Sequence, residues 1–216
     1  KKVSYFPFFI DIKDKPCLVV GGGMVALRKI EKLLPFGVEI TVISPAFCAE
    51  VEGLEGIHRV QRKFHPTDIV GKLFVIGATD DEAVNQQISD LCRKEGTLVN
   101  IVDDREKCSF FFPALVKRGE FVAGFTSGGG SPLAAQYIRK QVEESIPQYF
   151  ERTIEQLSAV RERVKAEYQR ALVRGRHPKD EPTYLSSSQG SIRCRYHREA
   201  QEILYKLWQG REFRQE

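Results

Sequence analysis

Three consecutive glycines, Gly21 to Gly23, follow the short apolar run Cys17 to Val20 and precede a segment in which Val25, Leu27, Ile30, Leu33 and Leu34 recur at helical spacing. Gly21, Gly23 and Ala26 spell G-x-G-x-x-A. The first glycine permits a tight turn, the second lets a pyrophosphate approach the backbone, and the alanine allows close contact between helix and sheet. The backbone amides of Met24 and Val25 would open that helix and face a diphosphate at its positive end. Placed between a strand and a helix, the triplet predicts dinucleotide binding; the alternative is a glycine turn that only closes a structural unit.

Other groups fall at the ends of apolar runs. Ser44 and Pro45 follow the run Val38 to Ile43, where an adenosine-binding carboxylate would ordinarily stand. A serine can bond a ribose hydroxyl but does not repel a 2′-phosphate, so Ser44 does not choose between NAD and NADP. Thr79 and Asp80 follow Lys72 to Ala78 and are expected to cap the next helix, to line the cofactor crevice, or both. Asn100 and Asp103 end the run Thr97 to Val102, which makes Asp103 better placed for chemistry than a carboxylate on an outer helix. Its plainer use is to cap the loop together with Asp104. In SGGGSP, the backbone of Ser127, Gly128, Gly129 and Gly130 can present successive amides, and Ser131 before Pro132 reads as the N-cap of a helix whose positive end can attract a substrate carboxylate.

Positioning these groups requires a particular architecture. The runs Cys17 to Val20, Val38 to Ile43, Lys72 to Ala78 and Thr97 to Val102 are apolar on both faces, as strands of a parallel sheet covered by helices are; His58 to Phe64 is a shorter candidate. The prediction is an α/β fold with a Rossmann-like parallel sheet. Beyond Pro113 the pattern changes to a strand over Glu120 to Thr126, a helix after Ser131, and an amphipathic helix carrying Phe150, Ile154, Leu157, Val160, Val164, Tyr168 and Leu172. Gly175 to Ser191 reads as a loop or linker, and His197 to Trp208 as a last helix.

The 216 residues suffice for one nucleotide-binding domain with a helical appendage. The net charge of +4 is a small difference between 33 basic and 29 acidic side chains, and with no recognition motif it argues against a nucleic-acid partner. No apolar stretch has the length of a membrane span, and the opening KKVSYFPFFI is too short and too soon charged for a secretion signal. Five cysteines without Cys-x-x-Cys spacing suggest reducing cytoplasm rather than a disulfide framework. His58, His65, His177 and His197 lack metal-ligand spacing, so no protein-held metal is expected.

In their order and spacing, VVGGGMVALRK, GATDDEAVN, VNIVDD, SFFFPALVKRG and TSGGGSP resemble the siroheme-synthase dehydrogenase/ferrochelatase family, which includes the precorrin-2 dehydrogenases. The resemblance runs from about Tyr5 to Gln148. It implies NAD as cofactor, oxidation of precorrin-2 to sirohydrochlorin, and in some members insertion of ferrous iron, as substrate rather than resident cofactor, to give siroheme. Asp103 falls on the family's essential aspartate and Ser127 on its glycine-loop serine. It further implies a homodimer with an NAD-binding domain over 1–113, a central dimerisation and substrate-binding region over 114–146 and a helical C-terminal region over 147–216. Arg105 and Lys107, with Arg118, Arg139 and Lys140, are candidate partners for the acidic rim of the macrocycle, or serve solubility and subunit contacts. The rival reading is a nonenzymatic dinucleotide sensor, which would use the Gly21 to Ala26 turn but needs neither Asp103 nor SGGGSP.

Overall fold

The computed structural model describes residues 5–173 and 199–205. The chain divides between Phe112 and Pro113 into two compact units.

The first unit carries a parallel sheet of β1 (Pro16–Val20), β2 (Glu39–Ser44), β3 (Ile57–Gln61), β4 (Phe74–Gly77) and β5 (Leu98–Ile101), in the order β3-β2-β1-β4-β5. β1 and β4 are buried along nearly their whole length, which is why they read as unbroken apolar runs. One face packs Cys17, Val19, Val42 and Ile76 against Ala26, Ile30 and Leu33 of α1 (Met24–Leu33). The other packs Leu18, Val20, Val75 and Val99 against Ile88 and Cys92 of α3 (Glu82–Glu95). Val25, expected on the core face of α1, is instead exposed beside Met24. Met24 and Val25 open the helix in contact with solvent, and burial begins at Ala26 and Leu27. A short helix, α2 (Ala49–Glu52), and a 3-10 turn, Pro66–Ile69, fill two connections that hydrophobic periodicity had not marked.

Because the chain leaves β1 in one direction along the sheet and returns to the opposite side for β4, the order reverses between those strands. A crevice opens at their carboxyl ends, where ligands bind in open α/β sheets. The Gly21 turn follows β1 and Asp103 follows β5, so both stand at this edge.

In the second unit, β6 (Ala114–Arg118) and β7 (Phe121–Phe125) form an antiparallel hairpin, followed by α4 (Pro132–Ser145) and α5 (Phe150–Val173). The sequence had indicated β7 but not β6. The hairpin turns at Gly119, φ 53°, and Phe121 meets the Phe150 ring edge-on at 5.1 Å. α5 buries Thr153, Val160 and Val164; Ile154 and Leu157, expected in the same stripe, are half-buried. Residues 199–205 are helical, within the expected last helix; its remaining residues and the Gly175 to Ser191 loop lie outside the described residues.

Candidate active site

The glycine turn after β1 is built by close packing of backbone. Gly21 has φ 124°, and a Cβ there would stand 2.2 Å from the Ala78 carbonyl oxygen. At Gly22, which lies outside the G-x-G-x-x-A pattern, a Cβ would meet the Ala46 oxygen at 2.3 Å and the Phe47 ring at 2.8 Å. At Gly23 it would meet nothing within 4 Å. The first two glycines let the loops after β4 and β2 close on the turn, whereas the third leaves space above the backbone.

Gly23 is also the N-cap of α1, extended at φ −92° and ψ −175°, with no side chain capping the helix and no acidic residue in its first turn. The long helices α3 and α4, by contrast, are capped by side chains. Asp81 Oδ1 accepts from the Ala83 and Val84 amides of α3 at 2.9 and 3.2 Å, and Ser131 Oγ accepts from the Ala134 amide of α4 at 3.2 Å. Open amides at Met24 and Val25, an empty approach over Gly23 and the absence of a competing carboxylate fit a dinucleotide diphosphate.

The neighbouring cofactor candidates are partly occupied. Ser44 is buried and donates to the Ala46 oxygen at 2.6 Å, leaving lone pairs but no proton for a ribose hydroxyl. Pro45 is exposed, and its carbonyl accepts from Gln61 Nε2 at 3.3 Å. The helix cap expected of Thr79 and Asp80 falls on Asp81. Thr79 ties the approach to it, donating toward the Asp81 oxygen and accepting from the Asp81 amide, both at 3.1 Å. Asp80 is exposed.

The segment after β5 is fastened back onto that strand. The Val99 amide donates to Ser109 Oγ at 2.8 Å, and the Ser109 amide donates to the Val99 oxygen at 2.8 Å. Asn100 Nδ2 donates to the Phe110 oxygen at 3.0 Å, and the Ile101 amide donates to Cys108 Sγ at 3.2 Å. Burial pushes the Cys108 thiol above its ordinary pKa, as suits a structural rather than a reactive cysteine. Asp103 and Asp104 take different roles here. Asp104 Oδ1 accepts from the Glu106 and Lys107 amides at 3.1 and 3.3 Å, and its other oxygen pairs with Lys107 Nζ at 2.9 Å. The hydrogen bond from Lys107 holds the Asp104 carboxyl below the usual carboxylate range. Asp103 is exposed and, among the described residues, makes no hydrogen bond or ion pair; its backbone is left-handed at φ 60°. Asp103 is thus a non-glycine residue in left-handed backbone, carrying an unpartnered carboxylate on a loop whose backbone is held by these bonds.

Two cations nominated by the sequence are committed within the unit. Lys107 bridges Glu82 and Asp104, and those bonds raise its pKa. Arg105 lies over the Tyr5 and Phe111 rings and donates through Nε to the Tyr5 hydroxyl at 2.8 Å.

In the second unit, Gly128 and Gly129 have φ 65° and 85°. The turn uses many of its own amides: Gly128 donates to Thr126 Oγ1 at 3.2 Å, Gly130 to the Ser127 oxygen at 3.2 Å and Ser131 to Ser127 Oγ at 2.9 Å. The row of amides read from the sequence as a carboxylate cradle is largely turned inward, with Ser127 as its internal acceptor. Arg139 pairs with Glu143 and Lys140 with Glu144, each one helical turn away, and Arg118 ends β6.

A family model described as "Putative NAD(P)-binding" matches residues 8–114. The siroheme synthase of Thioalkalivibrio sulfidiphilus is 38% identical over 167 residues, 76% of this chain and 34% of that protein. The siroheme synthase of Methylococcus capsulatus is 40% identical over 167 residues, 76% of this chain and 35% of that one. The chain is homologous to the siroheme synthases over about three quarters of its own length. It spans about a third of the length of these relatives. The fold agrees with a solved structure titled "SirC, precorrin-2 dehydrogenase", at TM-score 0.70 and 24% identity over 93% of this chain and 89% of that one.

Of the site residues, Gly22, Asp81 and Cys108 had not been singled out. The third glycine of the triplet was a signal for Gly22, since a turn needing only two would tolerate a side chain between them. For Asp81, the helix register was ambiguous by one residue among Thr79, Asp80 and Asp81. Nothing in the sequence marked Cys108, whose partners come from β5 and the loop it closes.

Proposed function

We propose that the protein oxidises precorrin-2 to sirohydrochlorin with NAD as hydride acceptor. The observation that carries this reading is the pairing, on one sheet edge, of an uncapped glycine turn after β1 with an unpartnered carboxylate after β5. Gly21, Gly23 and the amides of Met24 and Val25 would hold the diphosphate, and NAD supplies the acceptor for the hydride. Loss of a hydride and a proton extends the conjugation of the macrocycle. Asp103, with no internal partner to release first, accepts the proton. The fastened loop keeps that carboxylate in place without reorganisation during the reaction. A dinucleotide sensor would have no use for a strained, unpaired carboxylate at this edge.

A second activity, insertion of ferrous iron as substrate, follows the same logic: two pyrrole protons leave as the metal enters, and Asp103 is the group to receive them. Among the described residues no cluster of three or more His, Cys, Asp or Glu side chains forms a metal site. The tetrapyrrole would supply the final nitrogen ligands. We further propose a homodimer. α4 has no buried residue, and Leu133, Tyr137 and Ile138 leave apolar surface on it that a second copy would cover. Among the described residues no helix is long and apolar enough to cross a membrane, and the proposed site of action is the cytoplasm.

The test is a paired assay on wild type and Asp103→Ala. Precorrin-2 with NAD is followed by NADH formation, and sirohydrochlorin with ferrous iron, under anaerobic conditions, by siroheme formation. Wild-type oxidation that falls at least a hundredfold in Asp103→Ala, with NAD affinity kept, supports the reading. Wild-type protein that binds NAD but oxidises nothing shifts it to the sensor.

A further inference from the structure

Lys29 lies in the middle of α1, half-buried, with its ammonium 4.6 Å from the centre of the Phe112 ring. Among the described residues it makes no ion pair and no hydrogen bond, while Arg105 and Lys107 have their partners close by. Helical side chains lean toward the helix N-terminus, which for α1 is the sheet edge where Asp103 stands. Burial, and next the charge of Lys32, push the Lys29 ammonium below its ordinary pKa; Cys108 and Asp103 act on it in the opposite sense. A partly desolvated cation is thus held on an aromatic face within electrostatic reach of Asp103, without being paired to it.

We propose that Lys29 anchors one carboxylate of the tetrapyrrole substrate beside Asp103, an assignment that rests on the function proposed above. An incoming carboxylate supplies the partner that the fold withholds, and the ring beneath the ammonium keeps the side chain in place before it arrives. The same chemistry, an anionic oxygen, is also offered by the cofactor diphosphate. The carboxylate is favoured because Phe112, whose ring lies under the ammonium, and Cys108 and Asp103, whose charges act on it, all belong to the segment after β5. The diphosphate belongs to the turn after β1. As a positioning residue for substrate, Lys29 sets the distance from the reacting carbon to the Asp103 carboxylate and takes no proton itself.

The experiment titrates wild type, Lys29→Met, Lys29→Gln and Lys29→Arg with sirohydrochlorin, with its carboxylate-esterified form and with NAD, reading absorbance and fluorescence under anaerobic conditions. Met keeps the apolar stem on Phe112, and no ion pair is lost, so folding is expected to hold; Gln serves if Met does not fold. The expected result is sirohydrochlorin binding at least about tenfold weaker in Met and Gln, largely restored in Arg, with NAD affinity unchanged. With the ester, wild type and Lys29→Met should bind alike. Equal binding of sirohydrochlorin by wild type and Lys29→Met overturns the anchor while leaving the proposed function standing. A loss confined to NAD also overturns it and gives Lys29 to the diphosphate. Failure of wild type to bind sirohydrochlorin at all overturns the function and the anchor with it.

Discussion

Alanine at each of the three glycines should separate folding from cofactor binding. At Gly21 and Gly22 the new Cβ would sit 2.2 and 2.3 Å from carbonyl oxygens of the loops after β4 and β2, and backbone cannot rotate away as a side-chain tip can. Overlap of this kind costs about 1–3 kcal/mol. Gly21 adds about 1–3 kcal/mol more for an alanine at φ 124°. Gly23 lies in extended backbone with open space around its Cβ position. There, alanine gains about 0.4–1 kcal/mol by restricting the unfolded chain and loses a comparable amount as a poorer N-cap, so stability should stay within about 1 kcal/mol of wild type. The methyl group would occupy the space through which a diphosphate reaches the Met24 and Val25 amides, and NAD affinity should fall tenfold or more, equivalent to at least about 1.4 kcal/mol. Urea denaturation and equilibrium NAD titration on the same three variants provide the comparison. Gly23→Ala with wild-type NAD affinity, or Gly22→Ala with wild-type stability, would refute the reasoning.

Asp103→Gly should remain at least as stable as wild type, by up to about 1 kcal/mol in denaturation, because glycine tolerates φ 60°, while precorrin-2 oxidation is lost. Asp81→Ala should cost about 1 kcal/mol as the α3 cap, whereas Asp80→Ala should stay within about 0.5 kcal/mol; equal effects would place the cap elsewhere. The hydrogen bonds from Arg62 hold the Asp68 carboxyl below its ordinary value, so its stabilisation is full above the unfolded pKa of about 3.9 and is lost as pH falls through the folded value. Asp68→Asn should therefore flatten the acid limb of a stability-versus-pH profile below about pH 4, with little effect on its shape near neutrality. Tyr137→Lys combined with Ile138→Glu should shift the sedimenting mass from dimer to monomer; an unchanged dimer would put the interface on another surface.

The parallel sheet was legible because its central strands are buried on both faces, and apolar runs of that kind need no tertiary knowledge to recognise. Helix starts at Met24 and Pro132 were equally clear from local chemistry, and Ser131 does cap α4. The edges of the pattern were less so. β6 reads Ala-Leu-Val-Lys-Arg, with a charged half and a partner only across the Gly119 turn, and α2 is a single turn set by the loop it fills. The local G-x-G-x-x-A pattern located the glycine turn between β1 and α1 but could not show that Gly22 is held between Ala46 and Phe47, which lie more than twenty residues on.

Local spacing by itself determined that a strand, a glycine turn and a helix follow one another, since turn geometry and helical periodicity are properties of neighbouring residues. Tertiary structure decided which charges are used and which remain. Asp103 and Asp104 are adjacent and chemically identical, yet Asp104 is bonded to two amides and Lys107 while Asp103 stands unpartnered in left-handed backbone. Arg105 and Lys107 meet partners at Tyr5 and Glu82, and Lys29 meets a ring at Phe112 instead of a carboxylate. The assignments of Arg105, Lys107 and Lys29 to Tyr5, Glu82 and Phe112 depend on distances across the fold, because charge and hydrogen-bond energies are set by separation in space and by exclusion of water, neither of which residue order specifies.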